Sequence, residues 1–202
     1  HDVPFTYVVE NKWISHYPPG WPLVLAAGLL TGSPWIVAPV LGGIYIILIW
    51  WLGRRLSGDG VGLIAATLAV LSPMSRIIFS SYLSHAASSI LILVFLILLL
   101  TARRSRSYPW GFAAGVTLGL CFGVRPLVAI AAAVPGGILL LDDLRRPPSR
   151  GGVGLLASVT AGGIAGAIPT LLSNLEITGN PLTFPYSLAR GAMYSADNVP
   201  FG

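Results

Sequence analysis

Long apolar runs alternate with short basic clusters along the chain. Every second gap between two neighbouring runs contains one cluster. The three clusters are Arg54-Arg55, Arg103-Arg104-Arg106 and Arg145-Arg146-Arg150. Because the cytoplasmic loops of multi-pass membrane proteins carry an excess of arginine and lysine, this rhythm is typical of a chain that crosses a bilayer repeatedly. The pattern predicts an integral protein of the cell inner (plasma) membrane, with the three clusters on the cytoplasmic side.

A spanning helix needs about 20 mostly apolar residues, and roughly 17 to 25 are tolerated. Five runs approach this length, and they are Trp35 to Leu52, Tyr82 to Thr101, Trp110 to Val124, Pro126 to Leu141 and Gly151 to Leu172. A sixth run, Val61 to Leu71, reaches the far face only if it continues through Pro73 to Ile78 as a kinked helix. The last run is rich in Gly and Ala, which lets a neighbouring helix approach closely.

The run Trp21 to Thr31 complicates the count of crossings. It is apolar, it follows Pro18-Pro19-Gly20, and Gly32-Ser33-Pro34 comes directly after it. At about 1.5 Å per residue such a helix is too short to span a bilayer comfortably. If it crossed, every later segment would invert and the arginine clusters would lie outside. We therefore expect a short re-entrant or interfacial helix on the outer face.

The predicted fold is an all-α, multi-pass transmembrane helical bundle with about six crossings plus that short helix. It forms a single transmembrane domain over residues 1–202. Residues 1–34 are expected to form an outer loop and the short helix, residues 35–172 the transmembrane helices and residues 173–202 a second outer loop. The chain opens at His1 without an initiator Met and stops abruptly, so we expect it to be a piece of a longer protein.

Composition agrees with a membrane protein. Hydrophobic residues make up 54% of the chain and charged residues only 9%, whereas a soluble domain carries roughly 25% charged residues. The net charge of +5 lies mostly in short loops that flank apolar runs, where anionic membrane lipids and topology explain it. A nucleic-acid partner is therefore not expected. Cys121 lies inside an apolar run and is expected to be a small packing residue.

The predicted topology gathers the unusual polar residues on the outer face. They are Asp2, Glu10, Lys12, His16, Arg76, His85, Arg125, Glu176, Arg190 and Asp197. A plain membrane anchor would have no reason to collect them on one side.

Arg125 is the sharpest single signal among them. It lies between two apolar runs with no acidic residue near it in sequence. An unpaired guanidinium at membrane depth is costly, which makes it a candidate functional residue. Its planar donor fork suits a phosphate oxyanion. The alternative is that Arg125 reaches the outer interface from a short helix end, and the residues alone leave both open.

A polar stripe is predicted at the outer end of the run that starts at Tyr82. Tyr82, His85 and Ser89 recur at helical spacing, so a bundle interior or a hydrated cavity is expected to receive them. Alternatively, His85 only packs and binds a backbone carbonyl. The histidines show no metal-ligand spacing. No cofactor is assigned, although a divalent metal remains open.

His16 lies in a Pro-rich outer loop. It could assist proton transfer or offset phosphate charge, or it could simply cap the loop. Near the other end of the chain, Thr178-Gly179-Asn180-Pro181 predicts a turn, and Phe184-Pro185-Tyr186 adds aromatic side chains beside the membrane surface. No Walker loop, dinucleotide glycine pattern or serine-hydrolase elbow occurs in a supporting context. Soluble nucleotide chemistry is therefore disfavoured.

Several motifs together resemble a known family. They are Ser-His-Tyr-Pro-Pro-Gly-Trp-Pro-Leu (15–23), Leu-Gly-Arg-Arg-Leu-Ser-Gly (52–58), Leu-Ser-Pro (71–73) with Ser-Tyr-Leu-Ser-His (81–85), Val-Arg-Pro-Leu (124–127) and Thr-Gly-Asn-Pro-Leu-Thr-Phe-Pro-Tyr (178–186). In this order they resemble bacterial members of the dolichyl-phosphate-mannose protein mannosyltransferase superfamily, which has the GT-C fold and includes the aminoarabinose transferases of lipid A.

The resemblance implies an enzyme that transfers a sugar from a polyprenyl-phosphate donor to an acceptor at the outer face; the acceptor itself is not indicated. In that family the catalytic carboxylate lies on the first outer loop, commonly as an Asp-Glu pair after a first transmembrane helix. This chain has neither, so the catalytic residue is expected upstream of His1 and the piece alone is expected to be inactive.

The family also carries a basic residue just before the Pro-Pro step, and in this chain His16 is next to that step. A second family feature, an Arg-Pro step, matches Arg125-Pro126. The candidates for holding the donor phosphate or lining the cavity are Arg125, His16, Tyr17, His85, Tyr82 and Arg76.

Two other functions stay open. In a multi-pass transporter or lipid flippase, Arg76, His85 and Arg125 would line a translocation path. An inverted repeat would favour that reading, and none is visible in this stretch, whereas an upstream Asp-Glu pair would favour the enzyme. A purely structural membrane subunit does not explain the one-sided polar residues.

Overall fold

The computed structural model describes the backbone of residues 6–9, 12–15, 18–145 and 149–187, and the side chains of residues 18–145 and 151–187. Eight helices follow one another, and they are α1 (Gly20–Leu30), α2 (Val37–Ser57), α3 (Asp59–Leu71), α4 (Pro73–Phe79), α5 (His85–Ser105), α6 (Tyr108–Val124), α7 (Pro126–Arg145) and α8 (Ser149–Thr178). A single 3₁₀ turn, Pro34–Ile36, leads into α2. The prediction of an all-α, multi-pass helical bundle is confirmed.

A strand pair precedes the bundle and was not predicted. Strand β1 (Thr6–Val9) pairs antiparallel with β2 (Lys12–Ser15), with Thr6 opposite Ser15. Both strands are rich in β-branched and aromatic residues, which favour extended backbone. The stretch expected as an outer loop therefore contains regular structure.

Three of the predicted basic positions meet at one end of the bundle, here called the arginine end. Arg55 Nη1 donates a hydrogen bond of 2.7 Å to Thr101 Oγ1, and Arg104 Nη2 donates one of 3.3 Å to the Arg55 carbonyl. Arg103 binds Asp143, near the last residue of α7. The carboxyl ends of α2, α5 and α7 therefore lie together, as alternating crossings require.

The opposite end, where α6 ends and α5 and α7 begin, is called the Arg125 end. Four described helices are long and apolar enough to cross a membrane, namely α2 with its 3₁₀ turn, α5, α7 and α8, and the pair α3 and α4 makes a fifth if it is one broken span. Helix α6, with 17 residues, is shorter. These segments run alternately between the two ends. By length and composition four or five of them can cross a membrane, whereas the sequence predicts about six crossings.

The pair α3 and α4 is bent far more sharply than the expected kink, by 68°. Ser72 has extended backbone, and its hydroxyl accepts from the Ser75 amide, so a new helix begins at Pro73. Helix α3 begins at the arginine end, because Asp59 binds Arg54 at 2.5 Å. Phe79, the last residue of α4, packs at the other end of the bundle. The two helices together connect both ends.

Helix α1 lies across the Arg125 end and does not traverse the bundle. A Cβ at Gly20 would lie 2.7 Å from the carbonyl oxygen of Gly123, near the end of α6. A Cβ at Gly28 would lie 3.0 Å from Pro34 Cα, just before α2 begins. Both contacts are at the same end, so the short helix is re-entrant or interfacial, as the sequence predicts.

Helices α6 and α8 pack with their backbones in contact. Glycines recur every four residues on α6, at Gly111, Gly115, Gly119 and Gly123. A Cβ at Gly115 would overlap the Val159 carbonyl oxygen, and one at Gly166 would overlap the Val116 carbonyl oxygen. Small residues permit this approach, which gains dispersion contacts that lipid tails cannot supply. The close neighbour that the composition of α8 predicts is therefore α6.

A buried ion pair joins α5 to α7 at the arginine end. The Arg103 guanidinium donates two hydrogen bonds to Asp143, at 2.7 and 3.0 Å. The Asp143 residue is 5% exposed. A bidentate pair of this kind fixes the relative height and rotation of the two helices.

Replacing Arg103 by Met should destabilise the bundle by about 3–5 kcal/mol, because it leaves the buried Asp143 carboxylate without the guanidinium. The double variant Arg103→Met with Asp143→Leu should recover most of that loss. Reversible unfolding in detergent measures both values, with exposed Arg104→Met as the control. Equal stability of the Arg103 and Arg104 variants would contradict this role.

Candidate functional site

Arg125 forms the turn between α6 and α7. Its backbone is extended, with φ −149° and ψ 92°, and its amide still donates to the Cys121 carbonyl at 2.8 Å. Pro126 follows, and a residue before proline is disfavoured in the helical region, which explains the break. The side chain is half-buried. Among the ion pairs of the described residues, none joins a carboxylate to Arg125.

His85 is the first residue of α5 and lies within electrostatic range of Arg125. The two residues are far apart in sequence, and the antiparallel packing of α5 and α6 places both at the Arg125 end. Ser88 Oγ donates to the His85 carbonyl at 3.1 Å, so this serine serves the helix backbone. A guanidinium and an imidazole therefore lie at the same end of the bundle.

The predicted polar stripe is wrong in its details. Helix α5 begins at His85, so Tyr82 precedes it and does not share a helical face with Ser89. Tyr82 acts through its backbone: its carbonyl accepts from Trp21 Nε1 at 2.7 Å, while its side chain is 58% exposed. The tertiary contact with Trp21 holds this segment outside the helix.

Trp21 is a positioning residue that the sequence analysis missed. It is 5% exposed and packs against Phe79 and Val124, the neighbour of Arg125. Through its indole it also holds the segment that leads to His85. A tryptophan directly after Pro-Pro-Gly was the available signal.

The remaining predicted site residues are Arg76, His16 and Tyr17. Arg76 is exposed, and its Nη2 donates to the Leu71 carbonyl at 3.1 Å, which satisfies the end of α3. His16 and Tyr17 lie outside the described residues. The backbone that follows them reaches the site, because Gly20 contacts Gly123.

The segment after α8 folds back onto the Arg125 end. Gly179 has a φ of 74°, and Thr178 Oγ1 donates to the carbonyl of Asn174, so the predicted turn is present. Phe184 then packs on Phe122, with ring centroids 5.6 Å apart. Asn174, fully buried, donates to the Pro181 carbonyl at 3.0 Å. The sequence analysis missed Asn174.

An apolar groove of about 350 Å³ runs between α6, α7 and α8. Its lining residues are Leu118, Gly119, Phe122, Ala129, Ile130, Ala133, Gly163, Ile164, Ala167 and Leu171. Phe122 and Ala129 lie one turn before and one turn after Arg125, so the groove extends to the helix ends that flank the Arg125 turn, and Arg125 itself does not line it. In the part of the chain that the structure describes, no group of three His, Cys, Asp or Glu side chains could hold a metal ion.

Comparison with known proteins gives one match. The family model described as "Oligosaccharyl transferase STT3, N-terminal" matches residues 34–124, from the 3₁₀ turn to the end of α6. No curated protein and no solved structure matches the chain. The match does not reach the specific mannosyltransferase family, which stays a prediction. The apolar helices and this match make the chain a multi-pass membrane protein and support a membrane glycosyltransferase of the GT-C type.

Proposed function

We propose that the full-length protein transfers a sugar from a polyprenyl-phosphate donor to an acceptor at the outer face of the membrane. The observation that carries this proposal is the position of Arg125, a guanidinium without a carboxylate partner among the described residues, where an apolar groove meets the bundle end. A lipid phosphate needs both features, a cation for its oxygens and an apolar path for its chain.

The chemistry follows from the leaving group. When the bond between the sugar and the phosphate breaks, negative charge grows on the phosphate oxygens. A guanidinium fixed beside them stabilises this charge more in the transition state than in the bound donor. The deprotonation of the acceptor hydroxyl needs a carboxylate. In this scheme Arg125 supplies only the cation, and His85 lies within electrostatic range of it.

The arginine clusters set the proposed orientation. With the arginine end in the cytosol, the Arg125 end faces the exterior, and the groove extends from it into the bilayer. An isoprenoid chain would lie between α6, α7 and α8 with its phosphate at the outer surface.

The test is a transfer assay on the full-length protein in vesicles, with labelled sugars on polyprenyl phosphates of defined chain length. Label transferred to an acceptor supports the proposal. Movement of the donor between leaflets without any transfer would instead favour the transporter or flippase.

Filling the groove should weaken the binding of long-chain donors. We expect Ala133→Phe to raise the KM for such a donor about tenfold, a loss of about 1.4 kcal/mol of binding, while a short-chain donor that does not reach Ala133 is used as before. Ala131→Phe, on the exposed side of the same helix, is the matched control. An equal change in KM for both chain lengths would argue against the groove.

A further inference from the structure

Two tryptophan–arginine pairs stand side by side at the carboxyl end of α2. The Arg54 guanidinium carbon lies 5.3 Å from the centre of the Trp50 ring, and that of Arg55 lies 5.3 Å from the centre of the Trp51 ring. Stacking on an aromatic face holds a guanidinium in a defined orientation. Tryptophan itself prefers the depth of the lipid headgroups. The pairs therefore present oriented cations at headgroup level.

The charges at this place are only partly compensated. Arg54 binds the carboxylate of Asp59 at 2.5 Å. Arg55 donates to the Thr101 hydroxyl, and Arg104, from α5, donates to the Arg55 carbonyl. Both acceptors are neutral, so they position the two guanidiniums and leave their charge in place. A compact site with two net positive charges results.

A cavity adjoins these cations. It has a volume of about 370 Å³ and is lined by Trp51, Arg54 and Arg55. Below it, Ile44 and Ile47 continue the Trp51 face of α2, and they are 41% and 63% exposed. Helix α2 lies at the margin of the bundle, since only 6% of its apolar window is buried. The cavity thus lies one helical turn beyond an exposed apolar stripe that lipid chains can cover.

We propose that this place binds one anionic phospholipid of the cytoplasmic leaflet. Its phosphate would accept hydrogen bonds from Arg55 and Arg104, its glycerol would lie on Trp51, and an acyl chain would follow Ile47 along α2. The positive-inside pattern explains the basic residues at this end, but it does not require an aromatic ring such as that of Trp51 beside them. The site is at the opposite end from Arg125, so it is independent of the proposed donor site.

Native mass spectrometry of the full-length protein, taken from nanodiscs with equal phosphatidylglycerol and phosphatidylcholine, tests the proposal. We expect one retained phosphatidylglycerol and about tenfold or more loss of its affinity in Arg55→Gln with Arg104→Gln, since this variant loses two charge-assisted hydrogen bonds to the lipid phosphate. The control removes the same charge at the same end, with Arg106→Gln and Arg145→Gln, and should change affinity less than twofold.

Equal losses in the two double variants, or equal retention of phosphatidylcholine, would overturn the site. Displacement of the lipid by millimolar glycerol 3-phosphate would show that a free phosphate suffices and would overturn the assignment to a lipid. If the variant with Arg55→Gln and Arg104→Gln does not fold, Trp51→Leu is tested in its place, because it keeps both arginines and removes the aromatic ring. It should still lower phosphatidylglycerol retention severalfold, and unchanged retention would contradict the proposal.

Discussion

Replacing Arg125 by alanine in the full-length protein is expected to lower the rate of sugar transfer by about two to three orders of magnitude, the usual loss when a fixed donor to a developing anion is removed. Membrane insertion should be unchanged, because Arg125 binds its neighbours through its backbone and none of the described ion pairs involves its side chain. The measurement is kcat and KM with a polyprenyl-phosphate sugar, together with the yield of folded protein from membranes.

Conservative variants separate charge from geometry. Arg125→Lys keeps the charge and loses the bidentate fork, so it should fall between the parent and the alanine variant. Arg145→Ala removes an exposed cation at the arginine end and should transfer sugar as the parent does. If the alanine variant keeps the parent's kcat/KM, Arg125 does not stabilise the leaving phosphate. The residue would then be an interfacial arginine only.

Gly115→Ala is expected to destabilise the bundle by about 2–3 kcal/mol, the cost of forcing one methyl group into a filled space. The new Cβ would overlap the Val159 carbonyl oxygen, and backbone cannot move aside as a side chain can. The helices α6 and α8 would have to separate over several turns. Thermal unfolding in detergent, followed by circular dichroism, measures the change.

Gly137→Ala is the matched control, because a Cβ at that position of α7 meets nothing within 4 Å. Alanine has the higher helix propensity, so this variant should be neutral or slightly stabilised. Equal losses at both glycines would mean that flexibility, and not close packing, is what glycine supplies on α6.

The sequence predicts the long helices well, because a bilayer leaves a chain few alternatives to apolar helices with their basic ends on one side. The clusters at Arg55 and Arg104 do meet. The angle of 68° between α3 and α4 cannot be predicted from the sequence, since it depends on where Phe79 packs and not on Pro73 alone. The strand pair is not predicted, because a four-residue extended segment carries a much weaker sequence pattern than a long apolar run.

The sequence draws attention to a residue that conflicts with its surroundings, but it does not reveal a residue whose role arises from packing. Arg125 is conspicuous as a lone cation between apolar runs. Its closeness to His85 depends on the pairing of α5 with α6, which no local pattern contains. Trp21 and Asn174 look like ordinary residues until their partners are known, and Tyr82 was assigned to a helix that begins three residues later. The sidedness of the two ends stays a prediction.

The joined backbones of α6 and α8 have a mechanical consequence. Because Gly115 and Gly166 bring the two backbones into contact, α6 and α8 form one wall of the groove, and α7 forms the other. Helix α7 is anchored by Asp143 near its far end and carries Pro135 at mid-length, where a backbone hydrogen bond is missing. Pro135 is therefore the place where a bend of α7 costs least, and a bend there would change the width of the groove at Ala129 and Ala133.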